Sequence, residues 1–243
     1  MTVWYVLLLS TITAVCTGLG ALPFMFVSKV GPRFVGGGNA LAAGLMLGAS
    51  IGLVWEAVPL SGARTLLGLL LGALLIVAVG FLIPDHEHEE QLAGLDKAGL
   101  RKILMVMAIM TAHSFAEGIG VGVSFGGREG LGELISAAIA VHNIPEGIAI
   151  ALVMVPRGVS AIKAALWSIF SSLPQPLMAV PAFLFVQVFE PTLPVGLGLA
   201  AGAMFYMVFF ELLPESGEQI GRVNATVIAF VAALAMMGFQ LLL

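Results

Sequence analysis

Cysteine is almost missing from this chain: Cys16 is the single one among 243 residues. That excludes a disulfide within the chain and any thiolate metal cluster. Charge is scarce as well, with 10% of residues Asp, Glu, Lys or Arg against 60% hydrophobic ones. No basic patch of the kind nucleic acid requires is present, and no nucleotide-binding motif for ATP hydrolysis. The net charge of −4 says little about partners, because the few charges gather mostly in loops. What remains is apolar. No soluble domain of this length conceals so much apolar surface, so lipid must be the solvent for most of the chain. The 30 glycines agree, since small residues let membrane helices approach closely.

The start also lacks a basic segment. Met1-Thr2 leads straight into an apolar stretch from Val3 to about Val27, too long for a signal-peptide core, and it is read as a retained span. Apolar runs bounded by charge, Gly and Pro predict eight helices, over about 3–28, 37–59, 63–84, 101–125, 132–155, 160–188, 193–213 and 223–243. The expected fold is all-α: a polytopic membrane protein with one transmembrane domain, 1–243, and one substantial loop, 85–100. With the N-terminus outside, the inner loops hold Lys29, Arg33, Lys97, Arg101, Lys102, Arg157, Lys163 and Arg222, and the outer loops only Arg64 and Arg128. That bias places both termini outside the cytoplasm and loop 85–100 inside it, in a cell (inner) membrane.

Two short strings recur. Glu56-Ala57-Val58-Pro59-Leu60-Ser61-Gly62 and Glu211-Leu212-Leu213-Pro214-Glu215-Ser216-Gly217 both read Glu-x-x-Pro-x-Ser-Gly. In the expected topology their spans run in opposite directions. The second string is His-x-x-x-Glu-Gly, found at His113–Gly118 in the fourth span and at His142–Gly147 in the fifth, again antiparallel. Both pairs suit inverted repeats about a pseudo-twofold axis in the membrane plane, around a central antiparallel helix pair, a pattern of secondary transporters.

The His-x-x-x-Glu pairs carry the chemistry. Positions i and i+4 share a helix face, so each copy offers an imidazole beside a carboxylate. Ionisable groups at membrane depth are costly and are usually there for function. Apart from Arg101 and Lys102 at the very start of the fourth span, neither span contains Lys or Arg, so the two acids need another positive partner, and a divalent cation suits two imidazoles and two carboxylates. The plainer alternatives are interhelical hydrogen bonding and a proton relay. Pro145 removes a backbone donor, and a kink there frees a carbonyl.

On these motifs, above all His142-Asn143-Ile144-Pro145-Glu146-Gly147, the chain resembles the ZIP (Zrt-/Irt-like) family of divalent-metal transporters, in its bacterial GufA-like branch. The resemblance covers the whole chain. It implies a binuclear centre between the fourth, fifth and sixth spans, with help from the second. By motif, the first metal position takes His113, Glu117, His142 and Glu146, with a thioether from Met46. The second takes Ser114, Asn143 and Gln175, bridged by Glu117 and Glu146. Relatives commonly carry Glu where this chain has Gln175, and often Asn where it has Ser114. One tight site and a weaker or absent second one are therefore expected.

Glu56 and Glu211 are either relay ligands or interfacial residues reaching water. His86 and His88, among acids, either collect metal at the cytoplasmic side or belong to a plain solvated loop. The expected activity is uptake of a divalent transition metal, Zn²⁺ first, with Cd²⁺, Fe²⁺, Mn²⁺ and Co²⁺ fitting similar ligands. The ion is cargo rather than a prosthetic group. The resemblance implies alternating access, with one four-span bundle moving against the other, and a homodimer. Two further readings stand beside it: an intramembrane zinc hydrolase, which lacks the His-Glu-x-x-His string, and a proton-coupled carrier of a small organic solute.

Overall fold

Polarity is distributed inside out. Ser10, Thr13, Thr17, Ser50, Ser168, Ser172 and Gln175 are buried, while Trp4, Trp55, Leu70, Leu74, Phe170, Phe230 and Leu241 are exposed. Water does not favour that arrangement; a lipid surround does. The computed structural model describes residues 2–26, 31–82, 97–126 and 130–242. Among these there is no strand. The helices are α1 (Val3–Leu19), α2 (Pro32–Leu82), α3 (Lys97–Ser124), α4 (Leu131–Met154), α5 (Ala161–Ser172), α6 (Pro174–Leu184), α7 (Val186–Phe189), α8 (Leu193–Met207), α9 (Leu213–Ile220) and α10 (Arg222–Leu242). Six helical stretches are long and apolar enough to cross a membrane.

The longest helix doubles back. Ser50 donates to the Met204 sulfur at 3.2 Å, yet Gly72 packs against Leu199 and Ala203. In a straight helix Ser50 and Gly72 would stand about 33 Å apart, so α2 must reverse between them. The reversal lies at Ser61, whose backbone is extended (φ −171, ψ 101) two residues after Pro59. Proline ends the first limb by withholding an N–H. Ser61 then caps the second limb, its hydroxyl accepting from the Arg64 amide at 3.4 Å. The expected spans 37–59 and 63–84 overlap these two limbs; the first limb begins earlier, at Pro32, and residues 83–84 lie outside the described residues.

Other boundaries move for similar reasons. The expected span 160–188 is divided, because Pro174 and Pro176, on either side of Gln175, each remove a backbone donor and α5 gives way to α6 at Leu173. The expected span 193–213 continues as helix to Ile220, through a π-turn at Val208–Leu212 just before Pro214. The first helix stops at Leu19 and is followed by a short turn, Leu22–Met25. Loop 85–100 loses its last four residues to α3, which begins at Lys97; the rest of it, His86 and His88 included, lies outside the described residues.

Charge sorts to the ends. Gly36 packs on Gln219 and Ile220, and Gly38 on Leu152, which gathers Arg33, Arg157 and Arg222 at one end of the bundle. At the other end Arg64 donates to the Pro191 carbonyl at 2.9 Å.

Candidate metal centre

Helices α3 and α4 cross their motifs. His113 Nε2 lies 2.9 Å from Glu146 Oε1, and His142 Nδ1 lies 3.6 Å from Glu117 Oε1. Residue 113 thus meets 146 while 117 meets 142, the register of antiparallel helices. Along each helix the i,i+4 contacts are 3.2 Å for His113–Glu117 and 3.8 Å for His142–Glu146. The two imidazole rings stand 5.6 Å apart, edge to face. All four side chains are buried, and one ligand atom from each lies within 4.8 Å of the others.

These atoms are close without being satisfied. His113 Nε2, Glu117 Oε1, His142 Nε2 and both Glu146 oxygens are buried and make no hydrogen bond. Buried polar groups are normally paired, because each unpaired one costs on the order of 1–3 kcal/mol. Four buried groups that face a common point, and meet one another only through His–Glu contacts, have the donor chemistry of a cation site. A tetrahedral ion bound at ~2.0–2.1 Å requires ligand atoms about 3.3 Å apart; His113 Nε2 meets both carboxylates near that spacing, at 2.9 and 3.2 Å, while the whole set spreads to 4.8 Å and would draw in around an ion.

A second layer of polar groups stands behind Glu117. Gln175 Nε2 donates to Glu117 Oε2, and Gln175 Oε1 accepts from Asn143 at 3.0 Å and from the Thr13 hydroxyl at 2.7 Å. Asn143 also donates to the Thr13 carbonyl at 2.7 Å. The proline break between α5 and α6 sets Gln175 in the first turn of α6. Two glycines make the approach possible: a Cβ at Gly118 would strike the Gln175 backbone, and one at Gly147 the Thr17 carbonyl. Thr13 is absent from the candidates read from the sequence. Its signal was there, since Ser10, Thr13 and Thr17 form a buried polar face on an otherwise apolar helix.

The other candidates scatter. Ser114 is fully buried with an unpaired hydroxyl, as is the Asn143 Oδ1 atom. Met46 is buried in an apolar cluster with Ile109, Met110, Met204 and Met207. Glu211 is half-buried within the π-turn. Glu56 lines a cavity of about 740 Å³ that opens at the Arg64 end of the bundle, takes in Glu190 and Gln240, and reaches His142. Glu190 and Gln240 were not among the sequence candidates either; each stands alone in an apolar or loop context that gives no pattern.

Comparison with known proteins assigns the family. Residues 82–243 match the ZIP zinc transporter family. A protein of Arabidopsis thaliana, provisionally named a zinc transporter, is 45% identical over 226 residues, which are 92% of this chain but 36% of the plant protein. The zinc transporter GufA of Myxococcus xanthus is 33% identical over 249 residues, covering 95% of this chain and 96% of GufA. The zinc transporter ZIPB of Bordetella bronchiseptica is 32% identical over 238 residues, 92% of this chain and 76% of ZIPB. Members of the family are zinc transporters, not enzymes, which removes the hydrolase reading. With its membrane-capable helices, this is a multi-pass membrane protein. The chain belongs to the ZIP zinc transporter family.

Proposed function

We propose that this protein carries divalent transition metal ions, zinc foremost, into the cytoplasm, and that His113, Glu117, His142 and Glu146 are the ligands of the ion midway across. The observation that carries the proposal is the buried quartet itself, two imidazoles and two carboxylates with one ligand atom from each within 4.8 Å of the others and no hydrogen-bond donor of the chain satisfying them. Two carboxylates balance one dication, so the loaded centre is neutral and tolerable at membrane depth. Two imidazoles favour Zn²⁺, Cd²⁺, Co²⁺, Fe²⁺ or Mn²⁺ over Mg²⁺ and Ca²⁺, which prefer oxygen cages.

In this reading the chain crosses the bilayer eight times. The two limbs of α2 count separately, α5 with α6 counts once, and α8 through α9 forms the seventh crossing. The Arg33, Arg157 and Arg222 end is cytoplasmic by the positive-inside bias, so both termini lie outside and the cavity lined by Glu56 faces outward. The ion enters there and meets His142 first. Alternating access, with α1, α3, α4 and α5–α6 moving against the remaining helices, then presents the quartet to the other side. Glu211, at a π-turn near the cytoplasmic end, suits a role on the exit path. Met46 supplies a thioether neighbour, Ser114 and Asn143 further oxygens, and the functional unit is a homodimer.

The test is uptake into liposomes loaded with a fluorescent chelator. Zn²⁺ added outside should brighten vesicles holding the wild-type protein and leave those with His142→Ala or Glu146→Ala dark. Wild-type vesicles dark to Zn²⁺, Cd²⁺, Mn²⁺ and Fe²⁺ alike would overturn the proposal in favour of an organic-solute carrier.

A further inference from the structure

The amides behind Glu117 have a direction that one backbone atom decides. The Thr13 carbonyl can only accept, so the amide of Asn143 turns its nitrogen toward it. That same nitrogen faces Gln175 at 3.0 Å, and two amide nitrogens placed together would leave a donor without an acceptor. Gln175 must therefore present its oxygen to Asn143. The Thr13 hydroxyl, whose hydrogen is shared with the Ser10 carbonyl, points at the same oxygen. The Gln175 nitrogen is then the atom that faces Glu117 Oε2. An amide nitrogen carries hydrogens and no free lone pair, so it is no ligand for a cation.

We infer that Thr13, Asn143 and Gln175 form a relay that positions Glu117 and restricts the centre to a single divalent cation, Gln175 acting as a neutral donor on the oxygen a second cation would otherwise bridge. The inference rests on the proposed function of the quartet and deepens it. Glu117 turns one oxygen, Oε1, toward the two imidazoles and has the other occupied by Gln175. Charge leads to the same count. Among the described residues, the buried acids are Glu117 and Glu146 alone. One dication neutralises them; a second would leave two positive charges uncompensated within the bundle, where ionic groups survive only when paired. The binuclear centre implied by resemblance thus meets, in this chain, a closed second position. Gln175 is a positioning residue for Glu117 rather than a ligand.

The test counts ions. Purified protein in detergent, with His86→Ala and His88→Ala to silence the loop, is saturated with zinc, desalted and analysed by plasma mass spectrometry. One zinc per chain is expected. Gln175→Glu, which replaces the amide by a third carboxylate, should raise the count to two. Two ions in the Gln175 protein, or one in the Gln175→Glu variant, would overturn the inference while leaving metal transport intact. No ion at all would overturn the transport reading and this inference with it. The relay has its own readout. Thr13→Val removes one hydrogen bond and should weaken zinc binding by roughly 2- to 12-fold without changing the count. Thr13→Ser should restore it. An affinity indifferent to Thr13→Val removes the positioning role.

Discussion

His113 Nε2 stands closer to Glu146 on the neighbouring helix, at 2.9 Å, than to Glu117 on its own, at 3.2 Å. The repeated motif therefore works as one crossed quartet rather than as two separate i,i+4 pairs. Groups that act as a unit are non-additive when removed. His113→Ala and Glu146→Ala should each weaken zinc binding by more than about 100-fold, because even supporting residues of metal sites cost 10- to 100-fold. The double variant should lose little more than either single one. Isothermal titration with zinc reads this directly, and fully additive losses would argue for independent sites.

Gly147 lets α1 and α4 meet backbone to backbone, and a methyl group there would collide with the Thr17 carbonyl. Gly147→Ala should cost about 1–3 kcal/mol of stability through overpacking, and zinc affinity should fall with it, since the Asn143–Thr13 contact lies one turn away. Gly37→Ala is the control, because nothing lies within 4 Å of a Cβ there. Thermal unfolding in detergent should separate the two variants. Equal midpoints would show that α1 shifts without cost.

How far the sequence could be read follows from what each feature depends on. The four proposed ligands could be singled out because spacing of four on an apolar helix is a local property. Their crossing was not, since it depends on the register of α3 against α4. Thr13 illustrates the same limit: its hydroxyl and carbonyl matter only through partners 130 and 162 positions away. The reversal at Ser61 was visible in Pro59 and Ser61. The division at Leu173 was equally available, as Pro174 and Pro176 flank Gln175, but a long apolar run argued for one unbroken span. The role of Gln175 lay furthest from view. Side-chain type marks it as a neutral ligand, and only the direction of its amide makes it a donor.

Glu56 sits in the cavity that leads to His142, with Arg64 and Glu190 on the same lining. An acid in an entry path raises the local cation concentration without touching the ion at its final site. Glu56→Gln should therefore raise the KM for zinc uptake by roughly 3- to 10-fold and leave kcat within about two-fold. Equilibrium zinc affinity in detergent should stay unchanged. A fall in that affinity would instead place Glu56 among the ligands.

Metal should also hold the helices together. The quartet joins α3 to α4 and, through Gln175 and Asn143, to α6 and α1. An ion that binds only the folded arrangement stabilises it by about 2.7 kcal/mol at a concentration 100 times its Kd. Zinc should accordingly raise the thermal midpoint of the wild-type protein in a dose-dependent way. Mg²⁺ at the same concentrations should not, because it demands oxygen ligands and keeps its waters, and half of this donor set is imidazole nitrogen. His142→Ala should abolish the zinc shift while leaving the metal-free midpoint near that of the wild type, as its ring makes no hydrogen bond through Nε2 that folding would lose. An equal shift with Mg²⁺, or a zinc shift that survives His142→Ala, would move the stabilising ion away from this quartet.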